Sequence, residues 1–233
     1  INAELLIDHA WGWEPCTMDM IKAYRPENSS MSSGQVLQEA YDFHKARIIV
    51  QEMADAIALE LVEKRCVADQ LVLSIGYDRE SLILQTGREY TGPVCVDWYG
   101  RKVPRSVHGS AALHRFTSSS KLIAKAALSL YDEIADRRLL IRRLNISTNH
   151  VVCEEQVMQA ASAPVELDMF TDYEAVRKRR KEEETLLTRE RRMQETIINI
   201  KKRFGKNALL RGLNFEEGST ARERNRQIGG HKA

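Results

Sequence analysis

The densest run of carboxylates in this 233-residue chain is Glu182, Glu183 and Glu184. Two-metal or acid–base chemistry needs carboxylates that converge on one point. Consecutive residues on a helix point about 100° apart, so these three cannot converge. They read as a solvated helix face. Asp8 and His9 adjoin in a short helical pattern and diverge for the same reason. Cys16, Cys66, Cys95 and Cys153 form no CxxC pair. That spacing excludes the usual zinc signature, and a chain of this size needs no disulfide framework. Reduced thiols and a cytoplasmic setting are expected. No catalytic residue, no metal site and no bound cofactor is predicted within the chain.

Binding chemistry is better represented. Arg101, Lys102, Arg105, His108, Ser110, Arg115, Thr117, Ser118, Ser119 and Lys121 fall in one short stretch, and Arg142 and Arg143 follow. Cations, hydroxyls and free backbone N–H groups are what phosphate contacts require, and such contacts carry no sequence information. The serines at 118–120 precede a helical pattern. A helix start adds unpaired N–H groups and the positive end of a dipole. The plainer reading of this block is a basic, solvated surface, with His108 and His114 as packing residues.

Charge is unevenly spread. The chain carries 35 Lys+Arg and 33 Asp+Glu, a formal net charge of +2. By block, residues 1–100 carry −8, 101–149 carry +7, 150–176 carry −6 and 177–233 carry +9. Two basic blocks around an acidic strip point to a polyanionic partner for at least one of them. Hydrophobic residues make up 43% and charged residues 29%, a globular balance with enough chain for a core. No apolar run reaches the roughly 18 residues of a membrane span, so no membrane partner is expected. The first residue is Ile1 and not Met, so a longer parent chain is expected.

The elements that would position these groups follow from periodicity. Residues 4–13 and 19–24 read as short helices, and 25–33, with Pro and Ser/Asn, as a linker. A strand is predicted over 34–41. Asp42 is a suitable N-cap for a helix with Phe43, Ala46, Val50, Met53, Ile57 and Leu61 on one stripe. Residues 70–77 alternate as a half-buried strand. Residues 78–104 are broken by Gly and Pro, with a turn and basic tip at 99–102. A strand over 105–117, a helix after 118–120 and a last strand over 140–148 complete a βαββαβ order. That order is the split βαβ arrangement, a four-stranded sheet with both helices on one face, in an α+β fold. Residues 151–171 read as a linker and 172–204 as a long charged helix with an apolar stripe Met193, Ile197, Ile200 and Phe204. Residues 205–233 read as a flexible basic tail.

The block from Ser32 to Asn149 resembles the little finger of Y-family, UmuC-like DNA polymerases. INAELLIDHAWGWEP at 1–15 is similar to the end of that family's thumb. RFGKNALLRG at 203–212 and RNRQIGGHKA at 224–233 are similar to its C-terminal ending. The resemblance implies thumb end (1–24), linker (25–33), little finger (34–150), linker with docking peptide (151–171), charged helix (172–204) and tail (205–233). It also implies a role in damaged-DNA bypass and repair, with primer–template DNA held by Arg101, Lys102, Arg105, His108, Ser110, Arg115, Thr117, Ser118, Ser119, Lys121, Arg142 and Arg143. The family's palm, with carboxylates that hold magnesium, lies upstream of the thumb. This chain does not contain it, so the chain alone is expected to be inactive as a polymerase.

Glu166, Leu167, Asp168, Met169 and Phe170 resemble the peptide by which bacterial polymerases bind the sliding clamp. Leu167 and Phe170 would fill its apolar pocket, with Met169 as an adaptable third contact. Glu166 stands where a Gln is usual, and a carboxylate accepts hydrogen bonds but does not donate them. Two other classes fit the pattern less well. An RNA-binding βαββαβ module needs exposed aromatics on its central strands, and only Tyr77 and Phe116 are on offer. A protein scaffold leaves the +7 block without a purpose.

Overall fold

The computed structural model describes residues 3–24, 29–160, 173–228 and 231–232. Two short helices, α1 (Ala3–Ala10) and α2 (Met18–Ala23), bury no residue. Then come β1 (Met31–Tyr41), α3 (Phe43–Glu63), β2 (Cys66–Tyr77), the small strands β3 (Val94–Val96) and β4 (Lys102–Pro104), β5 (Val107–Thr117), α4 (Ser120–Ile134) and β6 (Ile141–Asn149). The chain continues through β7 (Val152–Cys153), α5 (Glu154–Ala160), α6 (Tyr173–Phe204), α7 (Ala221–Arg224), β8 (Gln227–Ile228) and β9 (His231–Lys232).

Local signals account for the two main helices. The Asp42 carboxylate accepts from the backbone N–H groups of His44 and Lys45 at 2.8 and 2.9 Å, closing the first turn of α3. Its predicted stripe is wholly buried, from Phe43 to Leu61. Arg65, with φ 53°, ends the helix in the left-handed region. Ser119 caps α4 by accepting from the Leu122 N–H.

The sheet runs β1-β6-β2-β5, antiparallel throughout, and β7 pairs with the start of β2. The connection from β1 through α3 to β2 leaves room for β6 between them. The connection from β5 through α4 to β6 leaves room for β2. These are two interlocked split βαβ units, and the α+β class read from the sequence is the class observed. Leu71, Leu73 and Ile75 of β2 meet Leu144 and Ile146 of β6 under Ile49, Met53, Ile57 and Leu61 of α3 and Ile123, Ala127 and Tyr131 of α4. Fully burying one such aliphatic side chain contributes about 1.5–3 kcal/mol. Tyr131 donates to the Phe43 carbonyl at 2.8 Å and so ties α4 to α3 through a hydrogen bond inside the core.

Three stretches differ from the sequence reading. Strand β1 begins at Met31, inside the segment taken as linker. The segment 78–104, read only as broken by turns, contains the β3–β4 hairpin. The start of the second linker is structured, because β2 extends to Cys66 and offers β7 a backbone edge. Cys66 then faces Cys153 across the two strands, although 87 positions separate them in the sequence.

The stretch after Phe204, expected to be flexible, packs on α3. Glu52, buried on that helix, accepts from Asn214 Nδ2 (2.8 Å), Ser219 Oγ (2.5 Å), Thr220 N–H (3.1 Å) and Ala221 N–H (3.2 Å). Lys45 pairs with Glu217, and Arg224 donates to Gln35 Oε1. Sequence composition shows few apolar residues here because polar bonds to α3 hold the segment.

Asp55, one turn along α3, pairs with Arg211 through Oδ2 at 3.1 Å, while its buried Oδ1 has no partner among the described residues. Burial pushes its pKa up to about 6, against the opposing pull of Arg211 and Lys201. The folded value lies above the unfolded one. The native state therefore holds the proton more tightly, and stability falls as pH rises through the window from about 4 to 6. Asp55→Asn is expected to flatten the stability–pH profile in that window by up to one proton. Thermal unfolding of both proteins from pH 4 to 7 measures this, and parallel profiles would show that Asp55 ionises normally.

Candidate functional site

With α3 and α4 on one side, the sheet's other face is left uncovered by helices α3 and α4. The register fixes what it presents. Val36, Arg143 and Gly76 form one row, and Gly34, Asn145, Ser74 and His108 the next. Ser32, Ser147, Val72 and Ser110 follow, then Asn149, Gln70 and Ala112. Hydroxyls, amides, glycines and small side chains dominate. Asn149 Nδ2 donates to Gln70 Oε1 at 3.0 Å and holds the last row. Gly76 is needed for close approach, since a Cβ there would stand 3.1 Å from Arg143 Cβ. The face is flat and polar and carries no aromatic ring on its central strands. Tyr77 is buried toward the helices and its hydroxyl accepts from the Asp136 N–H. Phe116 is on the edge strand.

The basic residues singled out in the sequence divide into two groups. Strand β5 spans about 33 Å over its 11 residues, and the groups lie toward its opposite ends. At its start, Arg142, Arg143, Ser74 and Asn145 of the sheet and Arg101 of the hairpin line one open trough of about 850 Å³. Exposed Lys102 of β4, Arg105 of the connection and His108 of β5 lie along the path from the hairpin into the sheet. Arg101 is held by Asp97, to which it donates through Nε at 2.8 Å, and this pairing draws the Asp97 pKa below the usual carboxylate range. Arg142 forms an ion pair with Asp78 at 3.6 Å, longer than a hydrogen bond. Ser110 sits midway along the open face.

At the other end the expectation needs correcting. Thr117, Ser118 and Ser119 are buried, and what covers 118–120 is α6 of the same chain. Glu190 accepts from Ser119 Oγ at 2.7 Å and from the Lys121 N–H at 3.0 Å. Gln194 donates to the Ser118 carbonyl and to Ser120 Oγ, both at 2.9 Å. Arg191 bridges Ser118 Oγ to Glu154, and Arg115 is paired with Glu183. The helix start is an anion site, as its N–H groups and dipole dictate, but a carboxylate of the chain fills it. Ser118, Ser119 and Thr117 are therefore not open to an outside phosphate in this arrangement.

The α6 face that docks overlaps the predicted apolar stripe only in part, since Ile197 and Ile200 are half-buried but the stripe's two ends are exposed. Met193 is 49% and Phe204 67% exposed, whereas Glu190 and Gln194 are buried. The contact is polar because it caps a helix. The histidines differ from the packing role considered for them: His108 and His114 are both exposed, and His114 adopts φ 59°. It lies where five steps along β5 oppose two along β2. The predicted docking peptide, 166–170, lies outside the described residues.

Among the described residues no group of three or more His, Cys, Asp or Glu could hold a metal ion, and no helix is long and apolar enough to cross a membrane. Against known families, the impB/mucB/samB family C-terminal domain matches residues 28–161, more than half of the chain. The chain belongs to this family. The resemblance to a UmuC-like C-terminal region therefore stands, and with it a polymerase-associated role. No curated protein matches the chain. Among solved structures, "Complex of beta-clamp processivity factor and little finger domain of PolIV" is similar at 7% identity and a TM-score of 0.33, covering 62% of this chain and 99% of that one.

The matched impB/mucB/samB region takes in the whole sheet, both core helices and α5. It ends before α6, so the helix that caps the 118–121 start lies outside the match. Sequence reasoning missed Ser74, Asn145 and Gln70 as members of the open face. Their signal was present, since each alternates with a buried apolar neighbour. It also missed the exposed Trp98 at the hairpin tip.

Proposed function

We propose that this chain is the DNA-gripping C-terminal portion of a Y-family translesion polymerase, acting in lesion bypass and repair from a cytoplasmic setting. The observation that carries the reading is the open sheet face: four rows of small and polar side chains, with Arg143, Arg142, Lys102, Arg105 and His108 toward one end. Such a face follows a sugar–phosphate backbone without reading bases, which suits a partner whose geometry is distorted by damage. The residues proposed to contact DNA are these five with Arg101 and Ser110. Arg115, Thr117, Ser118, Ser119 and Lys121 would join only if α6 moved. Magnesium and nucleotide chemistry belong to a palm elsewhere in the parent enzyme. Leu167 and Phe170, with Glu166, Asp168 and Met169, are proposed to dock on the bacterial sliding clamp.

One titration tests both partners. Binding to primer–template DNA is measured across a salt series for the wild type, Arg105→Ala/Arg143→Ala and Leu167→Ala/Phe170→Ala. Each phosphate contact contributes about 0.9 to the slope of log K against log salt, so the arginine variant should lose about 2 in slope. The Leu167→Ala/Phe170→Ala chain should keep DNA binding and lose binding to purified sliding clamp. No DNA binding at low salt would remove the grip reading, and undiminished clamp binding would remove the peptide reading.

A further inference from the structure

We infer that the tip of the β3–β4 hairpin, Trp98 with Tyr99, is a stacking platform for an unpaired base of a DNA strand leaving the polar sheet face. The inference rests on the DNA-grip reading above and adds to it a second, single-stranded subsite.

Trp98 is 96% exposed and Tyr99 77% exposed, and Val94 and Val96 of the same hairpin are exposed as well. A set of large apolar groups shown together, unlike a scattered single one, marks a contact surface. The tip is built to hold them. The Asp97 carboxylate accepts from the N–H groups of Tyr99 and Arg101, both at 2.9 Å, and from Arg101 Nε. Gly100, with φ +76°, closes the turn. The Arg101 guanidinium lies 4.8 Å from the Tyr99 ring centre and covers that ring. Trp98 makes no ring or cation contact among the described residues. It is thus an aromatic face presented on an ordered turn, so little conformational freedom is lost when something stacks on it.

Its place selects the partner. Trp98, Tyr99 and Arg101 line the same trough as Ser74, Arg143 and Asn145 of the open sheet face. A strand lying along that face would pass the hairpin tip. Arg142 and Arg143 line the same trough and would neutralise its phosphates. Within a duplex every base is already stacked, and only its backbone would meet the ring. An unpaired base offers a free π-face, and stacking on it is indifferent to sequence. The open face of the sheet has no aromatic from its central strands to do this, since Tyr77 of β2 is buried toward the helices, so the hairpin supplies what that face lacks.

The test is fluorescence anisotropy with two DNAs of equal duplex length, one blunt and one with a single-stranded overhang. The wild type, Trp98→Ala, Trp98→Phe and Arg143→Ala are compared. Trp98→Ala should weaken binding to the overhang DNA about tenfold and leave blunt-duplex binding unchanged, with Trp98→Phe close to wild type. Arg143→Ala should weaken both. A 2-aminopurine at the first unpaired position should be quenched by the wild type and not by Trp98→Ala. Equal effects of Trp98→Ala on the two DNAs, or no effect, would overturn the inference while leaving the grip intact. A wild type that binds neither DNA would remove both. The Trp98 side chain is solvent-exposed, so the melting temperature of Trp98→Ala should match the wild type.

Discussion

Glu52→Ala is expected to detach the segment beyond Phe204 from α3 while leaving the sheet folded. Four groups donate to the Glu52 carboxylate within 3.2 Å, from Asn214, Ser219, Thr220 and Ala221. Hydrogen bonds to a charged group contribute about 1.5–3 kcal/mol each, and they are not additive. Removing the acceptor leaves the Thr220 and Ala221 N–H groups without a partner, or lets the segment swing out to water. The loss in docking free energy should be roughly 3 kcal/mol, about a hundredfold in the docked population. Limited trypsin digestion reads it directly. Cleavage after Lys206, Arg211 and Arg222 should accelerate strongly in Glu52→Ala, whereas sites within the α3–β2 core should not. Glu52→Gln is the sharper control. It keeps the volume but turns an NH₂ toward N–H donors, so it should also release the segment. Unchanged cleavage in both variants would show that the Lys45–Glu217 and Arg211–Asp55 pairs suffice.

The second large effect concerns α6. Glu190→Ala removes the acceptor for Ser119 Oγ and the Lys121 N–H in a buried contact. Deleting the acceptor leaves a hydroxyl and an N–H unpaired, which costs about 1–3 kcal/mol for each that stays buried. Here α6 can lift instead, so the expected result is undocking and not global unfolding. Backbone amide exchange around residues 187–201 should rise toward that of an isolated helix. The thermal transition of the sheet should shift much less, because the core of α3, α4 and the strands does not include Glu190. Undocking also uncovers the N–H groups at 118–121. Inorganic phosphate should then slow exchange at Lys121 in Glu190→Ala and have no such action in the wild type. Protection of α6 equal to the wild type would show that Arg191–Glu154 and Gln194 hold the helix without Glu190.

These contacts change what the basic stretch 101–121 is. By composition it is one cationic block. In three dimensions its first part borders an open trough, and its last part is paired with Glu183 and Glu190 of the chain's own helix. At the helix start an anion is indeed bound, but it is the Glu190 carboxylate of the chain itself. Which anion occupies it was not legible, since Glu190 is 69 positions away from Lys121 in the chain.

The sequence by itself determined the two core helices, the four main strands and the fold class. The stripe from Phe43 to Leu61, the alternation over 70–77 and 140–148, and the caps Asp42 and Ser119 are local signals, set by side chains within one or two turns of each other. They suffice for a βαββαβ order, and the order suffices for a sheet with one face free. Only the tertiary structure decided the register that brings Arg143, Asn145, Ser74 and His108 together, and the hairpin that raises Trp98 beside them. It alone showed the polar latch of Glu52 and the self-capping by α6. The reason is that the register, the latch and the capping depend on hydrogen bonds between residues far apart in sequence, up to 189 positions for Arg224 and Gln35, where no periodicity carries the partner's identity.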